Sequence, residues 1–219
     1  MKEYISIAKV DGLHMKNNAA KVKLDKCLQV VVKVANIPSG TKYFKELDEE
    51  NTFVFFVKFI RKEMKCGQLA NKLIKFFESD PTSKLNKPFD VRFRGRESFM
   101  FLQSFPVLLD ELKARVPLKY HYTLNVIFYQ SLLLRELVSL SVRIEDISFE
   151  DVGHMTKLGR QLFKVYCRFD SSITPSMWTI TNVAPYHCNE SMLQTGMGLG
   201  VNTMEGREQK HQQLKQYAT

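Results

Sequence analysis

The chain has 219 residues, 44% hydrophobic and 25% charged, which excludes a wholly disordered protein and suits one large domain or two small ones. A formal net charge of +9 and a pI near 9.3 favour a polyanionic partner, nucleic acid before an anionic membrane surface. No apolar run is long enough to span a bilayer, and Cys27, Cys66, Cys167 and Cys188 form no C-x-x-C pair, which argues against a zinc knuckle and for a reducing compartment.

The N-terminal residues show no apolar signal core. Tyr4-Ile5-Ser6-Ile7 alternates and predicts one short strand, whose ladder partners must lie elsewhere or outside the chain. Val10-Asp11-Gly12-Leu13-His14 then turns into a helix. Leu13, Ala20, Leu24, Cys27, Leu28, Val31 and Ala35 recur at helical spacing, while Lys16, Lys21, Lys23 and Lys26 lie mostly off that stripe. Ile37-Pro38-Ser39-Gly40 ends the helix. A second helix is predicted over 46–64, with Phe53, Phe56, Phe59 and Ile60 on one face. A third follows Gly67 over 68–78, with Leu69, Leu73, Ile74 and Phe77. Phenylalanines at these intervals read as core packing, not as a base-stacking platform. The breakers between Ser79 and Pro88 mark a loop and an internal boundary.

Asp90-Val91-Arg92-Phe93-Arg94-Gly95-Arg96 is a dense basic turn that opens a helix running to about Val116, and Pro106 is expected to kink or split it. Arginines around a glycine at a helix entrance suit a phosphate clamp. The helix N-terminus adds N–H donors and the positive end of its dipole. The competing reading is a solvated arginine turn. The stretch 118–142 is apolar on more than one face, with Leu124, Ile127, Phe128, Leu132, Leu137 and Val138, and predicts the most buried helix. His121 at its start reads as a capping or surface histidine.

Another amphipathic helix is predicted over 149–168, with Val152, Met155, Leu158, Leu162, Val165 and Tyr166. Thr174-Pro175-Ser176-Met177-Trp178 predicts a short helix with proline in its first turn. Ala184-Pro185-Tyr186-His187-Cys188 is expected to break and restart the chain. His187 beside Cys188 makes a poor nucleophile pair, because sequence neighbours do not face each other on a helix or strand. Gly196-Met197-Gly198-Leu199-Gly200 is expected to be a flexible run. It is no dinucleotide fingerprint, since it follows no parallel strand and has no acidic residue at the right distance. Asn202 then N-caps a last helix, with Glu205 completing a capping box. That helix is almost wholly polar: Met204, His211, Leu214 and Ala218 form only a thin apolar stripe. Its carboxylates and bases suit metal ions and phosphates, or alternatively a solvated terminus. The chain as a whole is expected to be mainly α.

Three stretches resemble, in type and order, segments of the V(D)J recombinase catalytic subunit and Transib-type DDE transposases. The run from Val10-Asp11-Gly12 to Ala20 resembles the segment around the second catalytic aspartate. Val91-Arg92-Phe93-Arg94-Gly95-Arg96 resembles the DNA-contacting turn of the family's helical insertion. Glu205-Gly206-Arg207-Glu208, with Lys210, resembles the helix that carries the last catalytic glutamate, and Glu208 takes that glutamate's position. Pro185-Tyr186-His187 falls where the family places a metal-binding histidine. The resemblance implies the C-terminal part of an RNase H-like core. Residues 1–36 would be a strand and helix of that core, 37–200 the helical insertion with a sub-boundary at 79–89, and 201–219 the final acidic helix. It also implies chemistry by two divalent metals, Mg²⁺ in an active member, which clamp the attacking and leaving oxygens.

The departures from the family pattern set the functional expectation. The first aspartate would lie upstream of Met1. Lys16 stands where the second belongs, Asp11 lies five residues earlier, and of the family's zinc ligands only His187 remains. The chain is therefore expected to be a transposase-derived, catalytically degenerate DNA-binding protein with no resident cofactor, intracellular, in nucleus or cytoplasm, and without a membrane partner. Lys16, Arg92, Arg94, Arg96, Arg207 and Lys210 would contact backbone phosphates, positioning the protein without reading bases. Asp11 and Glu208 would be remnants of the catalytic set and, with His187, the metal candidates. Lys16 is expected to pair with Glu208 where the metals would sit. A homodimer or a complementing transposase chain is the expected protein partner. The alternatives are a helical protein-interaction module without nucleic-acid binding, and an active Mg²⁺-dependent nuclease built on Glu208 and Asp11.

Overall fold

Apolar spacing near 3.6 residues recurs along most of the chain, and helices form where it does. The computed structural model describes residues 12–38, 40–79, 89, 91–143, 146–170 and 172–202. Among them the chain is mainly helical and contains no strand; one isolated antiparallel bridge joins Asp146 to Met197. The expected strand at Tyr4–Ile7 and the acidic helix beyond Asn202 lie outside the described residues. The described residues of 20–132 form one compact unit, and those of 1–19 and 133–219 form a second.

Helix α1, Gly12–Ala35, ends at Asn36, which takes a left-handed φ of 42° that asparagine tolerates better than most residues. Its burial is wider than the single predicted stripe. Ala20, Leu24, Cys27, Leu28, Val31 and Ala35 are buried as expected, but Lys16 and Lys23 are buried too, at 3% and 0% exposure. Helix α2 spans Thr52–Lys62 and starts later than the sequence predicts. Residues 44–46 make a separate 3-10 turn, and Asn51 caps α2 by accepting from the Phe53 N–H at 2.9 Å while donating to the Ala35 carbonyl at 2.7 Å. Lys65, at φ 56°, takes the left-handed position that ends this segment, and the Cys66 N–H reaches back to the Ile60 carbonyl at 3.0 Å. Gly67 instead opens α3, Gly67–Ser79. Rings of α2 and α3 form the core of this unit: Phe53 lies 5.5 Å from Phe77, with Phe44 edge-on to both.

Helix α4, Gly95–Lys113, continues through Pro106, which is buried and does not split it. A 3-10 turn at Leu118–Tyr120 leads into α5, His121–Ser141, where Leu124, Ile127, Gln130, Ser131, Leu134 and Leu137 are buried around much of the circumference.

In the second unit, Ser148 caps α6, Phe149–Phe169, through a reciprocal box with Asp151. Those Ser148 bonds, backbone first, hold the Asp151 carboxyl below the usual carboxylate range, and Arg143 reinforces them at 3.0 Å. Thr174 caps the short α7, Pro175–Trp178, as the sequence predicts. No break follows at Pro185. Helical dihedrals run on through a π turn, Thr179–Val183, into α8, Ala184–Thr195. Proline lacks the N–H that would bond the Thr181 carbonyl in an α-helix, and the wider turn accommodates the loss: the Ala184 N–H bonds Thr179 O instead. The Thr181 carbonyl then abuts Gly159 on α6, where an added Cβ would stand within contact-forbidden distance, 2.3 Å, of its oxygen. The glycine run after Gly196 is likewise packed, in contrast to the flexible linker expected. The Gly200 N–H donates to Arg143 O at 2.8 Å, and a Cβ at Gly198 or Gly200 would collide with the 142–143 backbone.

The α6 glycines give a paired test. Gly159→Ala should destabilise the protein by about 1–3 kcal/mol, because the π turn must shift to admit a methyl group. Gly153→Ala, which meets nothing within 4 Å, should instead stabilise by up to about 1 kcal/mol through helix propensity. Urea midpoints of both variants check this, and equal effects would refute the close-packing account.

Candidate nucleic-acid interface

The basic turn is shaped by what it buries. Phe89, Val91 and Phe93 are buried while Arg92 and Arg94 are exposed, so this extended segment points its arginines away from the core at every second residue. Phe93 packs 5.2 Å from Phe101 on α4, and Phe89 5.0 Å from Phe76 on α3. Lys72 Nζ donates to the Arg92 carbonyl at 2.8 Å and ties the segment to α3. Arg94 is the N-cap residue of α4 and Arg96 lies in its first turn, also exposed.

The starts of α3 and α4 meet at one side chain. Glu97, in the first turn of α4, accepts from the Leu69 N–H in the first turn of α3 at 2.8 Å. A carboxylate between two positive dipole ends stabilises both helix starts. Cys66 sits underneath, its Sγ 3.6 Å from the Glu97 carbonyl. Burial, with Glu97 beside it, pushes the Cys66 thiol up to about 12, so it is a packing group and not a nucleophile. Between α2 and α3, Arg61 donates to Asn71 Oδ1 at 2.6 Å, and Lys62 and Lys65 are exposed. A helix entrance of this kind can hold phosphate oxygens by charge and by N–H donors together.

The other predicted contacts are Lys16, Arg207 and Lys210. Lys16 belongs to the second unit and is buried, at 3% exposure. Arg207, Lys210, Asp11 and Glu208 lie outside the described residues, as does the expected Lys16–Glu208 pair. His187 is half-buried on α8, with the Tyr186 ring edge-on at 5.4 Å. Its neighbour Cys188 is buried, and burial raises that thiol. Among the described residues no group of three or more His, Cys, Asp or Glu side chains could hold a metal ion, and no helix is long and apolar enough to cross a membrane.

A polar pair that the helical pattern hid lies inside the first unit. Lys23 on α1 donates to Gln130 Oε1 on α5 at 2.5 Å with both side chains buried. The spacing of Lys23 seven residues after Lys16 was the available signal, since positions i and i+7 share a helix face.

Comparison with protein-family models, with curated proteins and with solved structures gives no match to this chain.

Lys23 makes stability depend on pH. Burial first, and Lys26 second, hold its amine well below the usual lysine range. An unfolded lysine titrates near about 10.4, so between the lowered native value and that point the unfolded chain binds more protons and stability rises with pH. Lys23→Met removes this term. The stability of the variant minus that of the wild type should therefore be largest at low pH and fall as pH approaches about 10. Urea melts across that range check the trend; a constant difference would mean that Lys23 keeps its proton on folding.

Proposed function

We propose that this chain is a transposase-derived DNA-binding protein that grips backbone phosphates at the entrance of α4. The observation that carries the reading is the exposed arginine turn: Arg92, Arg94 and Arg96 stand around the start of a 19-residue helix, held outward by the burial of Val91 and Phe93. Arg92 and Arg94 are two residues apart on an extended segment, about 6.5 Å, so both can face the same strand of a duplex. Guanidinium groups keep their charge and offer paired donors to phosphate oxygens. The net charge of +9 adds a long-range attraction to any polyanion. The resemblance to Transib-type transposases supports the same assignment, since this turn is one of its three matching stretches.

On that reading the helices between residues 37 and 200 are the family's insertion, and the flanking segments are a partial RNase H-like core. The metal chemistry of the family would need Asp11 and Glu208, which lie outside the described residues, while His187 supplies a single donor. Basic Lys16 replaces a ligand at the second aspartate position. The reading is accordingly of binding without strand cleavage, with a homodimer or a complementing transposase chain as protein partner. Arg207 and Lys210 would extend the phosphate contacts.

Duplex DNA of arbitrary sequence tests this by fluorescence anisotropy. For three phosphate contacts, raising salt from about 50 to about 200 mM should weaken binding roughly 40-fold, from a slope of about −0.9 per contact. Arg94→Glu with Arg96→Glu should weaken all sequences alike and make the salt slope shallower by about two. Salt-independent binding, or full affinity in the double variant, would overturn the assignment.

A further inference from the structure

The outer face of α5 carries groups that the phosphate contacts do not use. Leu118 in the preceding turn, and Tyr122 and Tyr129 on α5, fall on one side at intervals of four and seven residues and stand 80%, 67% and 47% exposed. The opposite side is core. Large apolar and aromatic groups gathered on a solvent face mark a surface that something covers. Two lysines border this stretch beside other rings: Lys119, exposed and next to Leu118 in the chain, has its Nζ 5.1 Å from the Tyr120 centroid, and Lys113 Nζ, which also pairs with Asp110 at 3.4 Å, lies 4.5 Å from that of Phe128. From Lys113 to Arg135 the sequence has no Asp or Glu, against four Lys or Arg. Arg115 within that span is engaged elsewhere, its guanidinium 4.0 Å over Phe55 and 3.8 Å from Glu50.

We infer that this face binds single-stranded nucleic acid, with unpaired bases stacked on Tyr122 and Tyr129 and the backbone held by Lys119 and Lys113. Rings on the side of a helix can stack only on bases that have left a duplex, and every base offers a π face, so the contact selects strandedness and not sequence. A protein partner would also bury tyrosines. The absence of acidic residues along this stretch of sequence, and the exposed Lys119 beside Leu118, favour the polyanion. This inference rests on the nucleic-acid reading of the arginine turn and narrows its substrate. The two surfaces lie at opposite ends of α4, about 28 Å apart at the helical rise, and can be disabled separately.

Anisotropy with the full chain tests it, using oligothymidylate and a duplex of equal length. Tyr122→Ala with Tyr129→Ala should weaken the single strand by about tenfold or more and leave the duplex within about twofold. A Tyr→Leu pair at the same positions, which keeps apolar bulk without the ring, should lose the single strand equally. A Tyr→Phe pair should retain it. Circular dichroism confirms that each variant is folded, and the leucine pair decides if the alanine pair is not. Full single-strand affinity in the ring-free variants overturns the inference, and so does an equal loss on duplex. Self-association of the wild type that the leucine pair abolishes, with no effect on oligothymidylate, assigns the face to a second copy of the chain and also overturns it. If duplex binding depends on Arg94 and Arg96 while the tyrosine variants are silent, only this inference falls. If the wild type binds neither nucleic acid, both readings fall.

Discussion

The contact between Phe93 and Phe101 decides which way the arginines face. Extended backbone alternates its side chains, so burying Val91 and Phe93 against the helices forces Arg92 and Arg94 outward. The same seat fixes where α4 begins, and with it the position of Arg96 and of Glu97. Glu97 in turn reaches the first turn of α3, so one apolar contact and one capping bond register two helix starts against each other. Full burial of one aromatic side chain is worth roughly 1.5–3 kcal/mol, more than a single exposed ion pair contributes. The basic surface is therefore arranged by hydrophobic packing, and its charges are passengers on that frame.

A comparable constraint operates in the other unit, where a missing donor shapes the chain. Pro185 cannot bond the Thr181 carbonyl, the helix widens to a π turn, and the Thr181 carbonyl lies against Gly159 of α6, where there is no Cβ to meet it. Side chains also bond backbone along the irregular turn: the Thr181 hydroxyl donates to the Met177 carbonyl at 2.7 Å and Asn182 Nδ2 to that of Trp178 at 3.3 Å. The later glycines repeat the device, with backbone packed on the 142–143 backbone through Gly198 and Gly200.

Periodicity located α1, α3, α5 and α6 to within a few residues, and the Phe53, Phe56 and Phe77 core with them, because each of these helices buries apolar residues at helical spacing. It did not locate the start of α2. Phe44 packs on the same rings as Phe53, and an apolar pattern alone cannot tell a helix from a 3-10 turn laid on the same core. Proline at 185 reads as a breaker because the rule assumes an α-helix, and nothing local announces a π turn. The glycine run reads as flexible because sequence shows the freedom of glycine and not the neighbour that uses its missing side chain. The arginine turn was legible as a unit, since charge density and helix-start chemistry coincide in seven residues. The tyrosines of α5 were not, because a ring at helical spacing looks the same whether it faces core or water.

Lysine and arginine part company in this chain, and that difference governs how its +9 is to be understood. A lysine can enter a core because burial lowers its pKa toward the neutral amine, the direction in which Lys23 is shifted beside the side-chain amide oxygen of Gln130. Arginine has no such route, because its guanidinium stays charged at any ordinary pH and must be solvated or paired. A formal charge count therefore overstates the field of α1, where burial favours the neutral form of Lys23. It does not overstate that of the arginine turn, where Arg92, Arg94 and Arg96 are all exposed. For a polyanion approaching from solvent, a small fixed cluster at a helix start outweighs a larger number of lysines spread along a buried helix, because interactions beyond a Debye length of about 8 Å are screened and only nearby exposed charge is felt.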